Sequence, residues 1–196
     1  MGYDQEALSS LTQYTLPQIL FKQAEQLGQE KIAIREKMYG IWLAYSWEDY
    51  LRYTKQVALG FVALGLKRGE NIGIITDNHP EWLFTEIGAQ ALGAITVNFF
   101  TSSVAKELMT MLNRIQAVYV VAQDQEQVDK LLEMKEHLPH VRKIIYVDQT
   151  GMRTYANNPW LMSFKELLDL GAKLDKEQPN LFEEELWKGK PDEVAL

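Results

Sequence analysis

The chain has 196 residues, a formal net charge of −7, 46% hydrophobic and 24% charged residues, and no cysteine. That length supports one domain with a sizeable core, and the composition excludes intrinsic disorder, fibrous repeats, disulfides, thiol nucleophiles and Cys-ligated zinc. The acidic balance has the wrong sign for holding a nucleic-acid backbone, so no nucleic-acid partner is expected.

No apolar run approaches the ~20 residues of a membrane span. The start, Met1-Gly2-Tyr3-Asp4-Gln5-Glu6, lacks the basic and apolar regions of a signal peptide, so the chain reads as cytoplasmic. Along the chain, Lys31 to Tyr45 carries two strand-like pieces around Met38-Tyr39-Gly40, a hairpin pattern with glycine at the turn. Ser46 with Asp49 resembles a capping box, and the apolar period from Trp47 to Leu64 predicts the first long helix. Gly65 then suits the left-handed residue of a Schellman stop, with Leu66 as its apolar contact.

Strand and helix alternate from there. Asn71 to Thr76 reads as a buried strand, Pro80 opens a helix ending near Gly93, and Ile95 to Asn98 is the next strand. Ser102 or Ser103 is expected to cap a helix through Arg114, ahead of the valine-rich strand Ala117 to Ala122. Asp124 with Gln127 caps a helix reaching His137, and Lys143 to Val147 supplies a further strand. The pattern defines an α/β fold: a mostly parallel sheet flanked by helices on both faces, preceded by a β-hairpin. Thr150 to Trp160 is loop-like, and Ser163 to Leu174 offers one more helix. Asp175 to Leu196 holds seven acids against three lysines. That segment reads as solvated, either a frayed terminus or a linker.

Candidate chemistry is sparse. Asp77-Asn78-His79 follows the Asn71 strand, where an open parallel sheet collects ligands. Asp77 would oppose an anion at the helix start, and turn closure with helix capping is the simpler role. Ser103 and Lys106 match an S-x-x-K spacing that could make a serine acyl enzyme, yet S-D-N and K-T-G are missing. Gly60 to Gly65 has the interval of a phosphate loop, but Leu66 stands where lysine is required. His79, His137 and His140 show no metal spacing. Glu183-Glu184-Glu185 lies in the polar segment, away from apolar surroundings that would raise a carboxyl pKa.

The order of segments resembles the N-terminal portion of the AMP-forming acyl-CoA synthetases, the adenylate-forming superfamily. The resemblance is carried by Tyr45-Ser46-Trp47-Glu48-Asp49-Tyr50, by Ala58 to Glu70, by Ile72-Gly73-Ile74-Ile75 and by Asn78-His79-Pro80-Glu81-Trp82. Gly93 to Val97 and Ala117 to Val121 continue it. Asn98 to Ser103 and the long connection after Val147 look most like long-chain fatty-acid ligases, although Asn98-Phe99-Phe100 is bulkier than the family's usual stretch.

The resemblance implies the N-terminal subdomain of the acyl-CoA synthetase fold. It also implies a parent that activates a fatty acid with ATP and magnesium to an acyl-adenylate and then transfers the acyl group to CoA. The family's glycine-rich phosphate loop and later motifs do not occur in these residues. No catalytic, cofactor-binding or metal-binding residue is therefore assigned, and the chain alone is expected to be inactive. Residues 1–174 read as the α/β subdomain and residues 175–196 as an acidic linker stopping short of the phosphate loop. The remainder of a ligase chain is the expected partner, with homodimer contacts and peripheral membrane association left open for the parent. A non-catalytic binding or regulatory module of the same fold is the alternative.

Overall fold

The computed structural model describes residues 13–196; the Met1 to Glu6 stretch lies outside them. Helix α1 spans Leu16–Leu27, and Thr15 opens it through a reciprocal capping box with Gln18, with Pro17 in the first turn. Strands β1 (Ile32–Met38) and β2 (Ile41–Ser46) pair antiparallel. Their two-residue turn holds Tyr39 at φ 49° and Gly40 at φ 81°, the I′ pattern that matches strand twist.

Ser46 ends the hairpin and caps α2 (Trp47–Ala63) through the expected box with Asp49. Gly65, at φ 84°, stops that helix: its N–H bonds Val62 O at 2.9 Å and Leu66 N–H bonds Phe61 O at 3.0 Å. These two bonds are the Schellman pair.

Five parallel strands follow in the order β4-β3-β5-β6-β7. They are β3 (Asn71–Ile75), β4 (Ile95–Phe99), β5 (Tyr119–Ala122), β6 (Lys143–Tyr146) and β7 (Leu161–Ser163). The connecting helices are α3 (Pro80–Ala91), α4 (Ala105–Arg114) and α5 (Gln125–Glu133), and α6 (Phe164–Glu177) and α7 (Leu181–Leu186) complete the set. Successive side chains of each strand serve opposite faces. Ile72, Ile74, Tyr119, Val121 and Ile145 pack with α2, α3, α6 and α7. Ile75, Val120, Ala122 and Ile144 pack with α4 and α5 on the other side. The sheet is therefore buried on both faces, as its near-continuous apolar strands require.

Three expectations need correction. Ser103 does not cap α4: its N–H closes a turn onto Phe100 O at 3.0 Å, and Val104 occupies the cap position with no side-chain bond. The helix after Asp124 ends at Glu133, and a separate 3-10 turn covers Lys135–His137. Nor is the acidic segment solvated. Helix α6 continues to Glu177, across the expected boundary at residue 174, and Phe182 and Leu186 of α7 are both 1% exposed in the main core. Thr96 N–H donates to Ala195 O at 3.1 Å on the open edge of β4, and Arg68 pairs with Glu193 at 3.2 Å. Glu183 and Glu184 face water while Phe182 and Leu186 on either side pack inward. Strand β7 and helices α1 and α7 had no counterpart in the sequence reading.

The tightest seam joins α2 to α6. A methyl group at Gly171 would overlap the Gln56 carbonyl oxygen, and one at Gly60 would overlap the Leu167 backbone. Gly171→Ala should therefore destabilise the fold by about 1–3 kcal/mol or more in urea titration. Gly189→Ala, whose added carbon meets nothing closer than 3.4 Å, should stay within about 0.5 kcal/mol of the parent. Equal effects would contradict the seam. Phe182→Ala should cost about 3–5 kcal/mol; a negligible loss would mean that residues 175–196 are not docked.

Candidate functional site at the carboxyl edge of the sheet

Strand β3 lies between β4 and β5, so the chain leaves it for one neighbour and later returns on its other side. In open parallel sheets the crevice beyond the carboxyl ends at such a reversal is the usual ligand position. Here it is bounded by the loop after β3 (Thr76 to His79), the loop after β5 (Gln123 and Asp124) and the loop after β6 (Val147 to Gln149). The hairpin tip, Met38 and Tyr39, roofs a cleft of about 360 Å³ over these loops.

The crevice between β3 and β5 is bridged by the protein itself. Asp77 N–H donates to Gln123 Oε1 at 2.6 Å, and the Thr101 hydroxyl donates to Asp77 Oδ1 at 3.0 Å. Asp77 thus ties three loops together and does not cap α3. His79 holds the cap position without a side-chain bond into the helix. Its Nδ1 instead meets Glu36 Oε1 of β1 at 2.7 Å, pinning the hairpin to the start of α3.

An aromatic cluster anchors the hairpin base. Tyr53 stacks on Phe84 with centroids 4.8 Å apart, and Tyr45 meets Phe84 edge-on at 5.7 Å. Burial pushes the Tyr45 and Tyr50 phenols up to about 12, with Glu81 adding to the first and Glu86 to the second. These tyrosines are neutral packing groups at neutral pH. Burial also holds the Glu81 carboxyl above its ordinary 4.5; the backbone N–H at Glu81 opposes the rise and Glu36 adds to it.

Adjacent to this cleft, Thr76, Trp82, Asn98 and Phe100 border a second hollow of about 540 Å³ at the ends of β3 and β4. The Trp82 indole donates to Asn98 Oδ1 at 2.8 Å across it.

The charges decide what the roofed cleft can hold. Its lining includes Glu81, Asp124 and Asp148, with His79 the one basic side chain and no lysine or arginine. A polyphosphate would meet net repulsion there. Among the described residues no group of three or more His, Asp and Glu is arranged to hold a metal ion. These residues therefore do not fit ATP with its magnesium.

The remaining sequence candidates lie apart. Ser103 precedes α4 and Lys106 is exposed in its first turn, with no mutual hydrogen bond among the described residues. Gly60 lies inside α2 and Gly65 ends it, so neither opens a helix onto a phosphate. His137 and His140 are exposed, and Glu183 and Glu184 face water. Sequence reasoning flagged Asp77 and His79 but missed Glu36, Glu81 and Gln123. Glu36 reaches His79 only because the hairpin folds over loops far away in sequence, and Gln123 reaches Asp77 through the pairing of β3 with β5.

The fold and edge geometry define an open parallel-sheet module. Residues 20–190 match the family model described as AMP-binding enzyme, and the chain belongs to that family. Curated relatives include the long-chain-fatty-acid CoA ligases ACSBG1 of Bos taurus, 29% identical over 173 residues, and ACSBG2 of Xenopus laevis, 28% identical over 172. The matches cover 88% and 87% of this chain but 23% of each relative, so the chain spans about a quarter of their length. The fold is shared with the anthranilate CoA ligase AuaEII solved with anthranoyl-AMP, at TM-score 0.66 and 20% identity, covering 81% of this chain and 27% of that one. A putative long-chain-fatty-acid CoA ligase from Rhodopseudomonas palustris gives TM-score 0.65 at 22% identity, covering 80% and 37%.

A testable consequence concerns Glu81. Because its native pKa is raised, the stability linked to its protonated form is complete below 4.5 and is lost as pH rises through the native value. Glu81→Gln should raise the urea midpoint at neutral pH, and that advantage should shrink as pH falls to 4.5. A gap that widens toward acid would contradict the burial.

Proposed function

We propose that this chain is the N-terminal part of an ATP-dependent, AMP-forming long-chain fatty acid CoA ligase of the cytoplasm. The observation that carries this reading is the family match over residues 20–190 together with ligase relatives that align along most of the chain. The overall reaction joins a fatty carboxylate to CoA as ATP yields AMP and pyrophosphate. Magnesium, when bound in the whole enzyme, neutralises phosphate charge.

This chain supplies scaffold to that reaction. Its two-sided sheet and the α2–α6 seam make a rigid wall, and Tyr45 at the hairpin base packs edge-on against Phe84. Its acid-lined cleft supports the assignment of no catalytic, nucleotide-binding or metal-binding residue here. The packing of Phe182 and Leu186 and the Thr96–Ala195 bond support reading residues 175–196 as part of this subdomain. A serine acyl enzyme using Ser103 and Lys106 finds no support in the geometry.

Incubating the chain with palmitate, ATP, magnesium and CoA should release no AMP, and a fluorophosphonate should leave Ser103 unlabelled. A ligase with this chain as its N-terminal part, carrying the glycine-rich phosphate loop, should release AMP in step with acyl-CoA. AMP release from the chain alone would overturn the scaffold reading, and a loop-bearing ligase inert toward every fatty acid would overturn the substrate class.

A further inference from the structure

We propose that the β1–β2 hairpin is a peripheral membrane contact that seats its tip in the headgroup layer of an anionic lipid bilayer. The tip exposes neighbouring apolar side chains: Tyr39 is 95%, Ile41 67% and Trp42 63% exposed. Tyrosine and tryptophan favour the boundary between headgroups and acyl chains because each has an apolar ring and a polar handle.

The strand register sorts the charges. Lys37 lies opposite Trp42 and Arg35 opposite Ala44, whereas Glu36 lies opposite Leu43. With alternating side chains, Arg35, Lys37 and Trp42 share one face. Ile34 and Tyr45 occupy the other face and pack on the core, so the basic face points outward. Lys37 Nζ lies 5.7 Å from the Trp42 ring centroid, keeping cation and ring together. Glu36 is turned inward onto His79 at 2.7 Å, which removes the one acid of the hairpin from the outer face.

A chain of net charge −7 thus presents an outer strand face with two cations and an aromatic ring. That complementarity selects an anionic surface. It disfavours a second copy, since a two-fold pairing of outer faces would set Arg35 and Lys37 against their own counterparts. The hairpin is a separate two-stranded sheet, so both of its edges carry unpaired backbone groups. Headgroup water can satisfy those groups and hydrocarbon cannot, which limits insertion to the tip side chains. Among the described residues no helix is long and apolar enough to cross a membrane, as a peripheral contact requires. The proposal does not depend on the acyl substrate.

Vesicle flotation of the 196-residue chain provides the test. The chain should float with equimolar phosphatidylcholine and phosphatidylglycerol, and high salt should weaken this binding. Arg35→Gln with Lys37→Gln should lower the partition roughly thirtyfold. Tyr39→Ser, Ile41→Ser and Trp42→Ser together should abolish flotation with an unchanged melting curve, and Trp42→Phe should retain most of it. An unbound parent, or a triple variant floating like the parent, would overturn the proposal. So would a concentration-dependent dimer that the triple variant dissolves while vesicles capture neither form. Should the triple variant misfold, the charge pair and the salt response decide alone: insensitivity to both overturns the anionic contact.

Discussion

Helices α2 and α6 touch backbone to backbone, and the rest of the body is arranged around that contact. Gly171 lies against the Gln56 carbonyl and Gly60 against Leu167, so no side chain separates the two helices at their crossing. Gly88 of α3 approaches Thr54 O of α2 almost as closely, at 3.0 Å for an added carbon. One helix is thereby held between two others over a single sheet face. Phe61 on α2 meets Tyr119 on β5 at 5.5 Å, and the Tyr119 hydroxyl donates to Leu64 O at 2.5 Å. The second face, covered by α4 and α5, has no such backbone-to-backbone contact; there the Leu112 side chain presses onto Gly73 of β3. It is filled by ordinary aliphatic side chains such as Leu108, Leu112, Val128 and Leu131.

This arrangement also fixes where chemistry can occur. Burying both faces leaves only the strand ends open, and the hairpin closes part of the carboxyl edge. The His79–Glu36 pair and the Tyr45, Tyr53 and Phe84 cluster hold that roof in place. Beneath it the loops satisfy one another: Asp77 bridges Gln123 and Thr101, so hydrogen-bonding capacity that could meet a ligand is spent on structure. An acid-lined crevice of this kind suits a supporting subdomain better than a nucleotide site.

Local signals explain what was legible in the sequence. Ser46 with Asp49, Asp124 with Gln127, Pro80 and Gly65 each act within a few residues, and each sits at the end of an element where it was expected. Strand β7 has three residues, too few for a period, and forms because β6 offers it an edge. Helix α7 was hidden by Glu183, Glu184 and Glu185, which mask the four-residue spacing of buried Phe182 and Leu186. Ser103 failed as a cap because the turn from Phe100 consumed it first. The site was half legible: Asp77 and His79 follow a strand, but Glu36 joins His79 only through a hairpin folded over the sheet. The same hairpin carries its message in register, since only strand pairing shows that Glu36 turns inward while Lys37 and Trp42 turn out.

If the α2–α6 seam organises the body, both helices must open together with the central strands. Native-state hydrogen exchange across a series of low urea concentrations measures this directly. The core amides of α2, α6, β3 and β5 should converge on one opening free energy with one urea dependence. Amides of α6 that exchange through a smaller, separate opening, while α2 stays protected with the sheet, would contradict it.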